Sequence, residues 1–106
     1  MIRLPKKVII NNIPFKVIRD NKYAGGSFSY SDATITVGTK RLSDREILEN
    51  FIHEVAEIST VERGMRGSKC KPLNGSEDYI FAGSHAQFGD VISDVSWVIA
   101  DLMKLE

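Results

Sequence analysis

The chain has 106 residues, with 14 Lys and Arg against 14 Asp and Glu, two His and one Cys. A hydrophobic share of 42% beside 26% charged residues suits one domain with one core and excludes the polar, like-charged composition of disorder. The net charge of zero argues against a nucleic-acid partner, which needs basic surface to displace counterions, although it leaves room for a local basic patch.

Lone Cys70 cannot form an intramolecular disulfide framework and suits a reducing compartment. After Met1 to Lys7 only Val8, Ile9 and Ile10 precede two Asn residues, which is too short for a signal-peptide core. No run of about 18 apolar residues is present to span a membrane. These features predict a single cytoplasmic domain over residues 1–106 with no membrane partner.

The first forty residues read as strands and turns. Val8-Ile9-Ile10 is a short apolar run, Asn11-Asn12 forms a turn, and Phe15 to Arg19 alternates apolar and charged side chains. Pro14 suits a strand start better than a central position. Asp20-Asn21 and Gly25-Gly26 mark further turns, and Ser27 to Tyr30 alternates small polar with aromatic residues. Ala33 to Val37 then reads as a β-rich strand ending at Gly38. Three or four short strands in an antiparallel meander are expected.

The second half changes to a period near 3.6. Ser43-Asp44-Arg45-Glu46 has the form of a capping box, so a helix should run from there to about Arg63, with Gly64 as its stop. Ile47, Leu48, Phe51, Val55 and Ile58 share the face expected to cover the sheet. Residues 64–83 lack sustained periodicity and read as a long, mobile connection, of a length that in compact domains is usually functional or disordered. Ser84-His85-Ala86-Gln87 repeats the capping-box form, and Phe88, Ile92, Val95, Ile99 and Leu102 form the stripe of a final helix. The predicted fold class is α+β: a short antiparallel β-meander followed by two packed helices.

His53 and Glu57 lie four apart on the first helix, about 40° from one another around the axis, and project side by side. Such a pair can hold one metal ion between its tips. Glu54 is rotated by roughly 100° from His53, placed to reach a water at an open metal position without being a ligand. The chain's other histidine, His85, continues the inward stripe of Phe88 and Ile92 by one turn, so it points toward the first helix and supplies the third ligand. Glu77 and Asp78 are weaker candidates for that position. Zinc with three protein ligands and one water brings that water's pKa to about 7, within reach of a carboxylate base. Taken alone, His53 and Glu57 read as a solvated i, i+4 pair; Glu54 beside them and His85 on an inward stripe favour metal binding.

The His53-Glu54-Val55-Ala56-Glu57 helix, the preceding strand and Ser43 cap, and the terminal amphipathic helix resemble the small zincin-like metallopeptidase domains of phages and prophages. These are distantly similar to the metallopeptidases that cleave phage repressors. The chain departs from the usual His-Glu-x-x-His motif, because Glu57 stands where the second histidine is expected and His85 where the later helix often offers a carboxylate. The two ligand types change places, and the sum stays at two imidazoles and one carboxylate. The resemblance implies a phage or prophage protein, a minimal zincin-like fold, Glu54 as general base and a peptide or protein substrate. It also implies an edge strand, Ser27 to Tyr30 or Ala33 to Val37, that pairs with an extended peptide.

The same features admit a catalytically silent binding module of the same fold, and, with least support, a DNA-associated regulator drawing on Arg63, Arg66, Lys69 and Lys71. Cys70 between two lysines reads as an exposed loop thiol, Tyr79 and Phe81 as loop anchors, and Trp97 as partly buried or a partner contact.

Overall fold

A computed structural model describes residues 1–64 and 85–105. The proposed Ser84 cap and the features assigned to residues 65–83, including Cys70, Glu77, Asp78, Tyr79 and Phe81, lie outside the described residues. The elements run β1 (Lys7–Ile10), β2 (Ile13–Asp20), β3 (Gly26–Ser29), β4 (Thr34–Gly38), α1 (Asp44–Glu62) and α2 (His85–Leu102). The α+β class is as expected, and none of the described helices is long and apolar enough to cross a membrane.

The strands depart from a simple antiparallel meander. Their order is β1-β2-β4-β3: β1 and β2 form an antiparallel hairpin, β3 and β4 another, and β2 runs parallel to β4. A meander would have put β3 at the centre. Gly26, Ser27 and Ser29 leave that strand little to bury, whereas Ile35 and Val37 of β4 are both 0% exposed. The apolar strand therefore takes the central place, and the short polar one becomes an edge. Asn11 and Asn12 close the first hairpin with φ of 49° and 66°, left-handed values that asparagine tolerates and a two-residue hairpin turn requires.

Alternation in the strands directs Ile10, Phe15, Ile35 and Val37 to one face, where Ile47, Leu48 and Ile58 of α1 cover them and Phe51 and Val55 pack partly buried. Ile2 and Leu4, which precede any strand, complete this core. Ser43 caps α1: its hydroxyl accepts from the Glu46 amide while the Glu46 carboxylate accepts from the Ser43 amide. Gly64, at φ 67°, turns the chain just past the Arg63 cap.

The expected stripe on α2 is only partly observed. Phe88 and Ile92 are buried and Ile99 partly so, but Val95 and Leu102 are exposed, and Ser96 and Ala100 are buried in their place. Positions 88, 92, 96 and 100 advance by four, the slant of an i±4 ridge that crosses a neighbouring helix. Small side chains at 96 and 100 let α2 approach closely, which leaves Val95 outside the contact.

Ser43→Ala removes the reciprocal cap and should lower stability by about 1 kcal/mol in urea denaturation, with the fold retained. A second prediction concerns Tyr30, whose hydroxyl is pushed up to about 12 by burial and by its hydrogen bond to Glu62. The folded chain keeps that proton where the unfolded chain, near 10, has begun to lose it. The contribution is complete below pH 10 and is lost as pH rises to about 12. Tyr30→Phe should therefore show a shallower decline in unfolding free energy across that interval.

Candidate metal centre

Every fourth residue from Arg45 on α1 (Arg45, Glu49, His53 and Glu57) lies on one row, and this row meets α2. The Glu49 carboxylate accepts the Trp97 indole N–H at 2.6 Å and the Ser93 hydroxyl at 3.1 Å. Arg45 lies 5.0 Å from the centroid of the Trp97 ring and pairs with Asp101. These contacts set the helices antiparallel, because residues early in α1 meet residues late in α2. The same register carries the next two members of the row, His53 and Glu57, to the first turn of α2.

His85 sits there. Its Nε2 is 3.2 Å from Glu57 Oε1, and His53 Nε2 is 3.4 Å from Glu57 Oε2. One carboxylate thus faces both imidazoles, and the two rings stand edge to face with centroids 5.6 Å apart. Phe88 packs against His53 from the side, at 5.4 Å between centroids. The Glu57 side chain is only 8% exposed, so the solvated-pair reading of His53 and Glu57 does not hold.

The ligand atoms of His53, Glu57 and His85 lie within 4.8 Å of one another, so this group could hold a metal ion. The donor set of two imidazoles and one carboxylate suits a divalent ion of borderline softness. The two His–Glu separations run to different oxygens of Glu57, 3.2 Å to Oε1 and 3.4 Å to Oε2, so the carboxylate stands between the two rings.

Glu54 stands outside the trio. It is buried at 6% exposure, and its carboxylate lies against Gly26 on edge strand β3. A methyl group at position 26 would stand 2.9 Å from Glu54 Cγ and 3.0 Å from Oε2, so the absence of a side chain makes room for the carboxylate. His53 has its pKa raised, first by the hydrogen bond to Glu57, against the opposing effect of burial, with further help from the charges of Glu57, Glu54 and Glu49.

Sequence reasoning paired His53 with Glu57 and gave the direction of His85, and these three come together, whereas Glu54 lies apart from them against Gly26. That reasoning missed the Arg45–Glu49 latch and the role of Trp97, although the four-residue spacing of polar residues on α1 carried the signal. No protein-family model matches this sequence, and no curated protein or solved structure is significantly similar to it.

Titration with zinc should raise the melting temperature of the protein. At a free zinc concentration of 100 times Kd, the gain corresponds to about 2.7 kcal/mol. Glu57→Ala should remove this gain, as followed by differential scanning calorimetry.

Proposed function

We propose that the protein is a zinc-dependent hydrolase of the zincin type, acting on a peptide carbonyl, with His53, Glu57 and His85 as ligands and Glu54 as general base. The observation that carries this reading is the convergence of both histidines of the chain on one buried carboxylate. When bound, zinc supplies Lewis acidity, bringing the pKa of a water to about 7 and polarising a carbonyl.

The chain's own residues supply the rest. In the metal-free chain Glu57 draws both imidazole Nε2 atoms to one carboxylate, contacts that a bound ion would replace, and Phe88 packs edge to face on His53. Glu54, held in a water-poor setting against β3, would serve as the base that takes a proton from the attacking water and returns it to the leaving amine. Strand β3 lies at the sheet edge beside Glu54, where an extended peptide can add as a fifth strand by displacing the Tyr23 hydroxyl from the Gly26 carbonyl. The zincin resemblance of the helix motif supports the same assignment. The phage or prophage origin and the cytoplasmic setting belong to this proposal as well, resting on that resemblance and on the lone Cys70.

A second reading has its own observation. Glu57 already holds both imidazoles by hydrogen bonding, so the trio can serve as a latch between helices in a silent binding module.

Glu54→Gln separates the two. In zinc-loaded protein incubated with a mixed-sequence peptide library, cleavage seen by mass spectrometry should fall at least about 100-fold in this variant, while elemental analysis still finds one zinc per chain. Gly26→Ala should also lower cleavage with zinc retained. Parent protein that binds zinc but cleaves nothing points to the binding module, and parent protein that takes up no zinc overturns the metal assignment.

A further inference from the structure

The overall charge of zero conceals a strong separation. Residues 1–41, which include the whole sheet, carry eight Lys and Arg against two Asp. Helices α1 and α2 carry nine Asp and Glu against one Arg. Among the described residues the sheet side is therefore basic and the helix side acidic.

The basic side has a built shape. Segment Arg3 to Lys6 runs beside β2, tied to it by the Val17 amide donating to the Lys6 carbonyl at 2.9 Å. Between them lies a groove of about 710 Å³ whose charged lining consists of Arg3, Lys6, Lys16 and Arg19, with no carboxylate among the described lining residues. All four cations are exposed; by strand alternation Lys16 projects from the open face of the sheet and Arg19, opposite Val37, from the other. The Arg19 guanidinium also donates to the Ile2 carbonyl, which fixes one wall.

The register extends this charge onto the open face of the sheet. Lys7 lies directly opposite Lys16, Lys16 opposite Thr34, and Thr34 opposite Ser29, so one rung carries two lysines followed by two hydroxyls. The neighbouring rung adds Thr36 and Ser27. Strand alternation turns these side chains away from the core that holds Phe15, Ile35 and Val37. Two lysines placed opposite one another repel, and that arrangement costs stability unless an anion lies across them.

We propose that this face binds the phosphodiester backbone of a nucleic acid, independently of base sequence. Lysine, arginine and hydroxyl side chains are the groups that contact phosphate oxygens, and they are what the rung and the groove present. No aromatic side chain stands on the rungs from Lys7 to Ser29 or from Ile18 to Ser27, so base stacking is not part of the recognition. Acidic α1 and α2 are repelled by the same polyanion, so the field of the protein turns the sheet toward it. The metal trio, between the helices, stays on the far side. This inference revises the expectation drawn from net charge alone, and it does not depend on the hydrolase reading.

Fluorescence anisotropy with a labelled DNA duplex of about 20 base pairs provides the test. Four phosphate contacts predict about a 100-fold loss of affinity between about 50 and 200 mM salt. A Lys7→Ala/Lys16→Ala double variant should bind more weakly, with its log–log salt slope reduced in magnitude by about 2. Its melting temperature should not fall, because the repelling pair is gone. Lys104→Ala, beyond the end of α2, should leave both affinity and slope unchanged. The proposal is overturned by no binding at the lowest salt, by an unchanged slope in the double variant, or by capture on phosphatidylserine vesicles without duplex binding.

Discussion

The arrangement depends on one row of side chains on α1. Arg45 and Glu49 engage Asp101, Trp97 and Ser93 near the far end of α2, and this contact sets the antiparallel register. Without that register His85 has no reason to arrive at Glu57. Hydrophobic packing alone does not specify it as well, because the buried stripe of α2 ends in the small residues Ser96 and Ala100, which accommodate sliding. The charged and aromatic pairs supply the directional part of the fit, with Trp97 acting as both a hydrogen-bond donor and a cation–π surface.

The candidate site was legible because its signals are local. Four-residue spacing on a helix converts directly into a shared face, so His53 and Glu57 could be paired from sequence, and the Phe88 and Ile92 stripe gave the direction of His85. Helix α1 was equally legible, since a capping box and a terminal glycine are written within a few residues. Sheet order was not. Parallel pairing of β2 with β4 depends on which strand can best fill a central position, a competition between Ile35 and Val37 on one strand and Ser27 and Ser29 on another. Burial of Ile2 and Leu4 was also missed, because a segment without strand periodicity gives no sign that it is tied down; here Arg19 and Asp44 hold the Ile2 backbone. On α2, a spacing that alternates three and four steps and one that advances by four fit the sequence comparably well, and only the crossing of α1 chooses between them.

Charge shows the same limit of one-dimensional reading. A sum over the chain is zero, yet its sign changes between the sheet and the helices. Acidic residues on α1 serve local ends: Glu46 caps, Glu49 latches, Glu57 joins the imidazoles, and Glu62 accepts from Asn11. Among the described residues the side chains of Lys7 and Lys16 have no carboxylate partner, and the two face each other. Separation of the two populations gives one small domain two faces of different chemistry.

Helix α2 packs chiefly on α1 and pairs with none of the strands, although it carries one corner of the trio. The sheet with α1 forms the more extensive core, and α2 is the element that can open first in a sub-global fluctuation. An ion held by His53, Glu57 and His85 would cross-link residues 28 positions apart and close that opening. Metal occupancy and the docking of α2 then become a single coupled equilibrium, in which whatever loosens one lowers the other.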